Sequence, residues 1–194
     1  AFTVGSARGW MTRSEAIRRT NLVLTTLEKQ YHYAGWFYHW LNNETGAREW
    51  NSEISTIDSG LLFNGMIVAR QGLKDATISR RVDAILKSVD FRNMMTDGGA
   101  APDRLWISMG WKPEEGYLKH QWDHMYENLS LSILALGLDA KVPEASWDAL
   151  IREIRRGDGY EVITGGTLFM HQMSHGYIDF AGRRDRLGFD YWVD

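Results

Sequence analysis

Residues 122–138 of the chain read WDHMYENLSLSILALGL. After Glu127 the stretch carries no charge, and its leucines recur on every side of a helix. A helix that is apolar all round must be buried on all sides. The stretch therefore predicts an all-α domain in which this helix is surrounded by other segments of protein.

Helical patterns of two kinds alternate along the chain. Residues 53–70 and 167–178 are apolar nearly all round, like the stretch quoted above. Residues 12–31, 74–90 and 145–156 instead carry a single apolar stripe, which is typical of a helix with one solvated face. Outer and inner helices in this order predict three antiparallel hairpins of a double-layered toroid.

The composition bounds the class of protein. The 194 residues suffice for one domain with its own core, and we predict a single domain over residues 1–194. A formal net charge of −3 gives no reason to expect a nucleic-acid partner, and no apolar run is long enough to span a bilayer. The chain has no cysteine, which excludes disulfides and cysteine-based metal sites.

Two segments are predicted to be loops or strands. Residues 35–50 combine an aromatic run with a glycine-containing turn, a pattern that predicts a small β-hairpin. Residues 96–116 are rich in glycine and proline and are too long for a simple connection. Long structured loops in compact domains are often binding elements.

The first candidate catalytic acid is Glu53, which follows the good N-cap residue Ser52. This position predicts a carboxylate in the first turn of a helix, where the helix dipole alone would stabilise it by about 0.3–1 kcal/mol. Asp58 lies five residues later, about 140° around a regular helix. Asp58 is therefore expected to orient an arginine or backbone amides rather than to share the chemistry with Glu53.

The second candidate is Glu127, which stands at the start of the most apolar helix. A carboxylate there is costly unless it is paired or functional. The alternatives are a salt bridge to an arginine such as Arg48 and a role as a general acid. Cleavage of a glycosidic bond usually requires two carboxyl groups that flank the bond.

His171, His175 and Asp179 follow one another at intervals of four residues, so a regular helix would place them on one face. The spacing is compatible with zinc, with hydrogen bonds to sugar hydroxyls or with core histidines. No glutamate follows His171 as it does in metalloproteases. We expect no metal and no cofactor.

Several ordered motifs resemble the glucoamylase-like domain of bacteria, which includes endo-β-1,2-glucanases and the glucan-processing domain of cyclic β-1,2-glucan synthases. The motifs lie at residues 36–40 (WFYHW), 52–58 (SEISTID), 109–116 (MGWKPEEG), 126–127 (YE), 134–137 (LALG) and 171–180 (HQMSHGYIDF). The resemblance implies an (α/α)6 barrel, of which this chain would supply the three N-terminal hairpins. A second chain or a second copy is then expected to complete the barrel.

The resemblance also implies roles for individual residues. Glu53 and Glu127 match the two acids that are the catalytic candidates. The residues expected to bind sugar are Arg48, Asp58, Trp111, Trp122, Tyr126, His171 and His175. Apart from the resemblance, the sequence itself favours core positions for Trp36, Trp40, Trp106 and Trp147.

These observations together predict a glycoside hydrolase that acts on a β-glucan, with β-1,2-glucan as the favoured substrate. The alternative is a non-catalytic module that binds glucan or assembles with a partner. Carboxyl groups about 5–5.5 Å apart would indicate a retaining mechanism, and a separation of about 6.5–9.5 Å an inverting one. The opening residues 1–3 are consistent with an end left by processing, so a periplasmic or secreted location is the expectation.

Overall fold

The computed structural model describes residues 1–101 and 105–192. The helices are α1 (Phe2–Ala7), α2 (Arg13–Leu27), α3 (Thr56–Leu73), α4 (Ala76–Lys87), α5 (Leu129–Leu138), α6 (Ala145–Asp148) and α7 (Leu168–Met173). The strands are β1 (His32–Tyr33), β2 (Trp36–Phe37), β3 (Ile54–Ser55), β4 (Ile107–Ser108), β5 (Gly110–Lys112), β6 (Gly116–Tyr117), β7 (Gln121–Trp122), β8 (Glu153–Gly157) and β9 (Tyr160–Thr164). The protein is thus helical, as predicted, with several small sheets added.

The chain divides into two compact units. The N-terminal unit consists of residues 1–90 and 110–116, and the C-terminal unit contains the described residues of 91–109 and 117–194. Within residues 1–101 and 105–192, no helix has the length and hydropathy that crossing a bilayer requires.

The N-terminal unit contains the helices that agree best with the sequence patterns. Asp75 caps α4 by accepting hydrogen bonds from the backbone N–H groups of Thr77 and Ile78, each at 3.0 Å. Ile78 and Val82 of α4 are fully buried, and Leu86 is nearly so. These residues form the single apolar stripe that their spacing predicts.

The start of α3 differs from the prediction. Ser55, and not Ser52, is the N-cap, and its hydroxyl accepts a hydrogen bond from the backbone N–H of Asp58 at 3.3 Å. Antiparallel pairing of β3 with β5 keeps the chain extended up to this residue. Glu53 therefore precedes the helix, and the expected angle of about 140° between Glu53 and Asp58 does not apply.

The prediction that the apolar helices are buried on every side is wrong for the described chain. Phe63, Met66 and Leu73 of α3 are buried, but Gly65 is exposed, and a Cβ atom placed on it would meet nothing within 4 Å. In α5 the exposed fraction rises to 43% at Leu138. The described chain thus covers only part of the circumference of these helices.

The predicted hairpin over residues 35–50 is found in a different form. Antiparallel pairing of β1 with β2 is closed by Ala34 and Gly35, which both have positive φ. A second turn brings Leu41 opposite Arg48. The side chain of Asn42 closes that turn by accepting hydrogen bonds from backbone N–H groups two and three residues later.

The predicted helix over 145–156 is wrong beyond its first turn. α6 ends at Asp148, and residues from Glu153 onward form the β8–β9 hairpin. Asp158 and Gly159 at its turn have φ values of 51° and 82°. An Asp-Gly pair is a strong signal for a two-residue hairpin turn, and pairing with β9 outweighs the helical spacing of the apolar residues.

The other predicted elements of the C-terminal unit are also shorter than expected. α5 begins at Leu129 because residues 121–122 pair with β4 instead of joining the helix. α7 ends at Met173 and is followed by a 310 turn, Ser174–Gly176. The long segment 96–116 contains β4 and β5, and its residues 102–104 lie outside the described residues.

A buried polar network ties the end of the C-terminal unit to α6. Asp185 accepts hydrogen bonds from Tyr191 Oη and Trp147 Nε1, both at 2.7 Å. Arg152, whose side chain is 4% exposed, donates to Tyr191 Oη at 2.8 Å. Burial raises the pKa of Asp185, but the hydrogen bonds outweigh burial and the pKa lies below its ordinary value.

Replacing Asp185 with asparagine tests this network. A carboxyl whose pKa is lowered on folding stabilises the protein above its unfolded pKa of about 3.9, and that stabilisation is lost as the pH falls through the folded value. We expect Asp185→Asn to lower the free energy of unfolding by about 1–3 kcal/mol at pH 7 and by less near pH 3. Urea unfolding at both pH values measures the difference.

The control for this experiment is Asp158→Asn, which makes the same chemical change in an exposed turn. Asparagine tolerates the positive φ of that position, so stability should stay within about 0.5 kcal/mol of the parent. An equal loss of stability for Asp185→Asn at both pH values would contradict the account given for its carboxylate.

Candidate functional site

Glu53 lies in the N-terminal unit beside an imidazole that it shares with Asp58. His39 Nδ1 is 2.8 Å from Glu53 Oε1, and His39 Nε2 is 3.4 Å from Asp58 Oδ2. The backbone N–H of His39 also donates to the Glu53 carbonyl at 2.9 Å. The structure therefore brings Glu53 and Asp58 to one group, which the sequence argument had excluded.

Among the described residues, Asp58 contacts a hydroxyl and an imidazole instead of the predicted arginine. Its Oδ2 accepts a hydrogen bond of 2.6 Å from Ser55 Oγ, while Ser55 Oγ accepts from the Asp58 backbone N–H. This reciprocal pair closes the N-terminus of α3. The Asp58 N–H donates to Ser55 Oγ, so among the described contacts the Asp58 carboxylate meets a hydroxyl group instead of the expected backbone amides.

Gly110 leaves room for the Glu53 side chain. A Cβ atom on Gly110 would lie 2.8 Å from Glu53 Cγ and would clash with the Ile54 carbonyl oxygen. The pairing of β3 with β5 places Gly110 opposite Ser55. Glu53, with a side chain that is 23% exposed, is thus held between His39 and the backbone of β5.

Arg48 also belongs to the N-terminal unit, where it organises residues 48–52. Its guanidinium pairs with both carboxylate oxygens of Glu114, at 2.5 and 3.1 Å, and lies 5.1 Å from the centre of the Tyr38 ring. It also donates to the carbonyl oxygens of Asn51 and Ser52, at 2.9 and 2.6 Å. Hydrogen bonding to Arg48 lowers the pKa of Glu114. The carboxylate paired with Arg48 is therefore that of Glu114.

The aromatic side chains around Glu53 include two that sequence reasoning missed. Trp36 is fully buried, as expected, but Trp40 is 50% exposed and Trp50 is 77% exposed. The prediction that Trp40 belongs to the core is therefore wrong. The Trp40 ring lies over His39 instead, with the two ring centres 4.7 Å apart. Trp111 is partly buried and stacks on Tyr33 at 3.8 Å with an angle of 3°.

Glu127 lies in the C-terminal unit, two residues before α5, and is partly buried. Its carbonyl oxygen accepts a hydrogen bond of 3.5 Å from Ser174 Oγ, which itself accepts from the Ser130 backbone N–H at 3.0 Å. The fully buried Asn128 accepts from the backbone N–H of Tyr126 at 2.9 Å. The backbone on both sides of Glu127 is therefore anchored. That Glu53 and Glu127 face one sugar-sized hollow stays a prediction.

Tyr126 forms the centre of an aromatic group in the C-terminal unit. Its ring stacks on His124, with centres 5.4 Å apart, and meets His171 edge-on at 6.1 Å. His171 Nε2 in turn hydrogen-bonds the Gly165 carbonyl. Burial, reinforced by the negative charges of Glu153 and Asp123, raises the pKa of Tyr126.

Three further residues that were expected at the site are His175, Asp179 and Trp122. His175 packs edge-on against Phe180 at 5.0 Å, and Asp179 is exposed and lies beyond the helical residues. The predicted single helical face of His171, His175 and Asp179 is wrong, because α7 ends at Met173. Trp122 is only 8% exposed. Its role in stacking on sugar, like the sugar-binding roles of the two histidines, stays a prediction.

A metal centre finds no support in the parts of the chain that the structure describes. Among residues 1–101 and 105–192, no group of three or more His, Asp or Glu side chains is arranged to hold a metal ion. The clustered groups are instead a carboxyl–imidazole–carboxyl set around His39 and an aromatic set around Tyr126. Both are chemically suited to hydrogen bonding and stacking with a neutral, hydroxyl-rich ligand.

Comparison with known proteins supports the resemblance seen in the sequence. The model of the Glycoamylase family, described as "Putative glucoamylase", matches residues 119–194. No curated protein matches the chain.

Solved structures match the chain along almost its whole length. An endo-β-1,2-glucanase from Chitinophaga pinensis, in complex with sophorotriose and glucose, superposes with a TM-score of 0.85 at 21% identity, covering 99% of this chain and 50% of that one. A "putative glucoamylase" from Bacteroides fragilis NCTC 9343 gives 0.83 at 24%, covering 98% and 50%. A β-1,2-glucanase from Parabacteroides distasonis gives 0.81 at 19%, covering 98% and 32%.

The chain thus spans about half the length, or less, of the structures that it matches. At these identities the superpositions establish a shared fold. Residues 119–194 carry the sequence pattern of the glucoamylase family, and the chain as a whole has the fold of part of a bacterial glucoamylase-like protein.

Proposed function

We propose that this chain is part of a glycoside hydrolase that cleaves β-1,2-glucan. The observation that carries the proposal is the similarity of fold to two β-1,2-glucanases, one of which was solved with sophorotriose and glucose. The match of residues 119–194 to the glucoamylase family points to the same class of enzyme. Periplasmic or secreted location is part of the proposal, since the substrate is a polysaccharide.

The proposed architecture is an (α/α)6 barrel to which this chain contributes three helical hairpins. Two facts support it: the chain spans about half of the first two matched structures, and it leaves part of the surface of α3 and α5 uncovered. Covering apolar surface stabilises a protein by about 25 cal/mol per Å2. A further segment, a second chain or a second copy would cover these surfaces and complete the site.

The proposed chemistry uses Glu53 and Glu127 on either side of the scissile bond. One carboxyl would protonate the leaving oxygen, and the other would act as a nucleophile or activate water. His39 contacts one carboxylate oxygen of Glu53, and Gly110 leaves space for the Glu53 side chain. The Glu53 carboxyl is therefore oriented before the substrate binds. Such pre-orientation is what an acid–base group requires.

Incubation of the protein at its natural length with linear β-1,2-glucan tests the proposal. We expect reducing ends to appear with β-1,2-glucan and not with β-1,3- or β-1,4-glucans, and the anomer formed first would show whether the configuration is retained. No release of reducing ends from any of these glucans would contradict the hydrolase proposal.

The second candidate function is a glucan-binding or assembly module without catalysis. It is favoured by one observation, namely that the chain covers only about half of the matched enzymes. Binding of β-1,2-glucan without any release of reducing ends would support this function instead.

His39 offers a test of how Glu53 is oriented. Phenylalanine at this position keeps a ring against Trp40 but removes both nitrogen contacts, so we expect His39→Phe to lower kcat by about 10–100-fold with little change in KM. Asparagine can still donate a hydrogen bond where Nδ1 stands, so His39→Asn should restore part of the rate. Steady-state kinetics on β-1,2-glucan measure both effects.

A control for His39 is His32→Phe, which changes a histidine outside this cluster in the same unit. Its kcat should match that of the parent. Equal rates for His39→Phe and the parent protein would show that the imidazole does not position Glu53.

A further inference from the structure

Two exposed indole rings stand next to the Glu53 cluster and have no part in the chemistry described so far. Trp40 is 50% exposed and Trp50 is 77% exposed. Their ring centres are 5.5 Å apart, with an angle of 56° between the planes. Two neighbouring large aromatic side chains that remain in solvent form a surface that can receive a ligand.

The backbone under Trp50 is held in an unfavourable conformation. Trp50 and Asn51 both have φ of 50°, a left-handed region that non-glycine residues rarely adopt. Arg48 supports this conformation through its hydrogen bonds to the carbonyl oxygens of Asn51 and Ser52. Strained residues that are fixed from several sides occur mainly at functional sites, where they present a side chain in a defined position.

Trp40 is fixed equally well. Ser52 Oγ accepts a hydrogen bond from the Trp40 N–H and donates one to the Trp40 carbonyl, each at 3.2 Å. One face of the Trp40 ring lies against His39 at an angle of 21°. His39 in turn contacts Glu53 at 2.8 Å, so the aromatic surface is continuous with the candidate catalytic acid.

The charges around the two rings favour a neutral ligand. The guanidinium of Arg48 is matched by Glu114, and the ammonium of Lys112 by Glu115. The nearby carboxylates include those of Glu49, Glu53 and Asp58. A phosphate or a nucleic acid would therefore meet no free cation among these residues. A sugar ring carries no charge, and β-linked glucopyranose presents C–H bonds on both faces while its hydroxyls point outward.

We propose that Trp40 and Trp50 form an aromatic platform on which a glucopyranose unit of the substrate stacks, so that the rings define a sugar subsite beside Glu53. The identity of the sugar rests on the proposed function, whereas the platform itself rests on the exposure and fixation of the two rings. Flat indole faces match the C–H faces of a pyranose, and their fixed backbone reduces the entropy lost on binding.

The test measures binding without cleavage. In the Glu53→Gln background, at the natural length of the protein, we expect Trp50→Ala to weaken the binding of a β-1,2-linked glucotetraose by at least about ten-fold in calorimetric titration. Trp50→Phe keeps an aromatic face and should lose less. The matched control is Trp10→Ala, since Trp10 is also 77% exposed and belongs to the same unit.

Acrylamide quenching provides a second readout that needs only the conservative variant Trp50→Phe and no measurement of affinity. We expect the Trp50 contribution, obtained as the difference between parent and Trp50→Phe, to be quenched readily in the free protein and to be protected by the tetrasaccharide. Protection in the absence of sugar would mean that other protein covers Trp50, and it would overturn the platform.

The results separate the platform from the proposed hydrolase. Unchanged affinity in Trp50→Ala, in a protein that cleaves β-1,2-glucan, overturns the platform and leaves the hydrolase intact. Weakened binding in Trp50→Ala, in a protein that never cleaves, supports the platform and overturns the hydrolase. No binding of any glucan by the Glu53→Gln protein overturns the platform, and the cleavage assay on the parent then decides the hydrolase alone.

Discussion

Glu53→Gln and Glu127→Gln are each expected to reduce the release of reducing ends from β-1,2-glucan by about 1,000-fold or more. Glutamine keeps the size of the side chain but can neither transfer a proton nor attack the sugar, so the loss reflects chemistry rather than packing. The double variant should lose little more than either single variant, because two groups that act in one step are not additive.

Two further variants make this experiment specific. Glu44→Gln changes an exposed glutamate in the loop that precedes the site and should retain the parental rate. Asp58→Asn should lose only about ten-fold or less, because Asp58 holds the hydroxyl of the N-cap Ser55 and contacts His39 rather than carrying the reaction. Parental activity in either glutamine variant would remove that residue from the proposed pair. A loss at Asp58 as large as that at Glu53 would make Asp58 the second acid.

Gly110→Ala is the second substitution with a large expected effect. The added methyl group would meet the Ile54 carbonyl oxygen and lie 2.8 Å from Glu53 Cγ, so either β5 must separate from β3 or the Glu53 side chain must move. Overpacking of this kind costs about 1–3 kcal/mol of stability. A displacement of about 1 Å at a catalytic group is expected to lower kcat by about 100-fold.

The measurement combines thermal unfolding with kinetics on β-1,2-glucan. Gly157→Ala serves as the control, because the same methyl group on β8 meets nothing within 4 Å and the φ of this position is not positive. That variant should be at least as stable as the parent. An unfolding temperature and a kcat equal to those of the parent in Gly110→Ala would show that β5 can move without displacing the Glu53 side chain.

Local sequence signals were sufficient where the local preference and the tertiary contacts agree. The apolar stripe of α4 is found where the helical spacing of residues 74–90 predicts it. The prediction of Ser52 as the N-cap of α3 was wrong. Ser52 and Ser55 have the same local preference for this position, and pairing with β5 keeps the chain extended up to Ser55. The β8–β9 hairpin was missed although Asp158-Gly159 signals its turn, since the apolar spacing before it also fits a helix.

The candidate site could be predicted in its residues but not in its arrangement. Glu53 and Asp58 were both identified, yet their common contact with His39 depends on a strand that keeps Glu53 out of the helix. Trp50 was not predicted to be a site residue, because no feature of the neighbouring sequence distinguishes an exposed tryptophan from a buried one. Its positive φ is visible only in the structure, where Arg48 binds the carbonyl oxygens of the next two residues.

By itself the sequence determined the helical class, the family pattern and the identity of the two candidate acids, because these depend on spacing and residue type along the chain. Only the tertiary structure decided where α3 begins, which groups surround Glu53 and which tryptophans face solvent. These features arise from contacts between residues far apart in sequence, whose free energies exceed the small local preferences that a single sequence reveals.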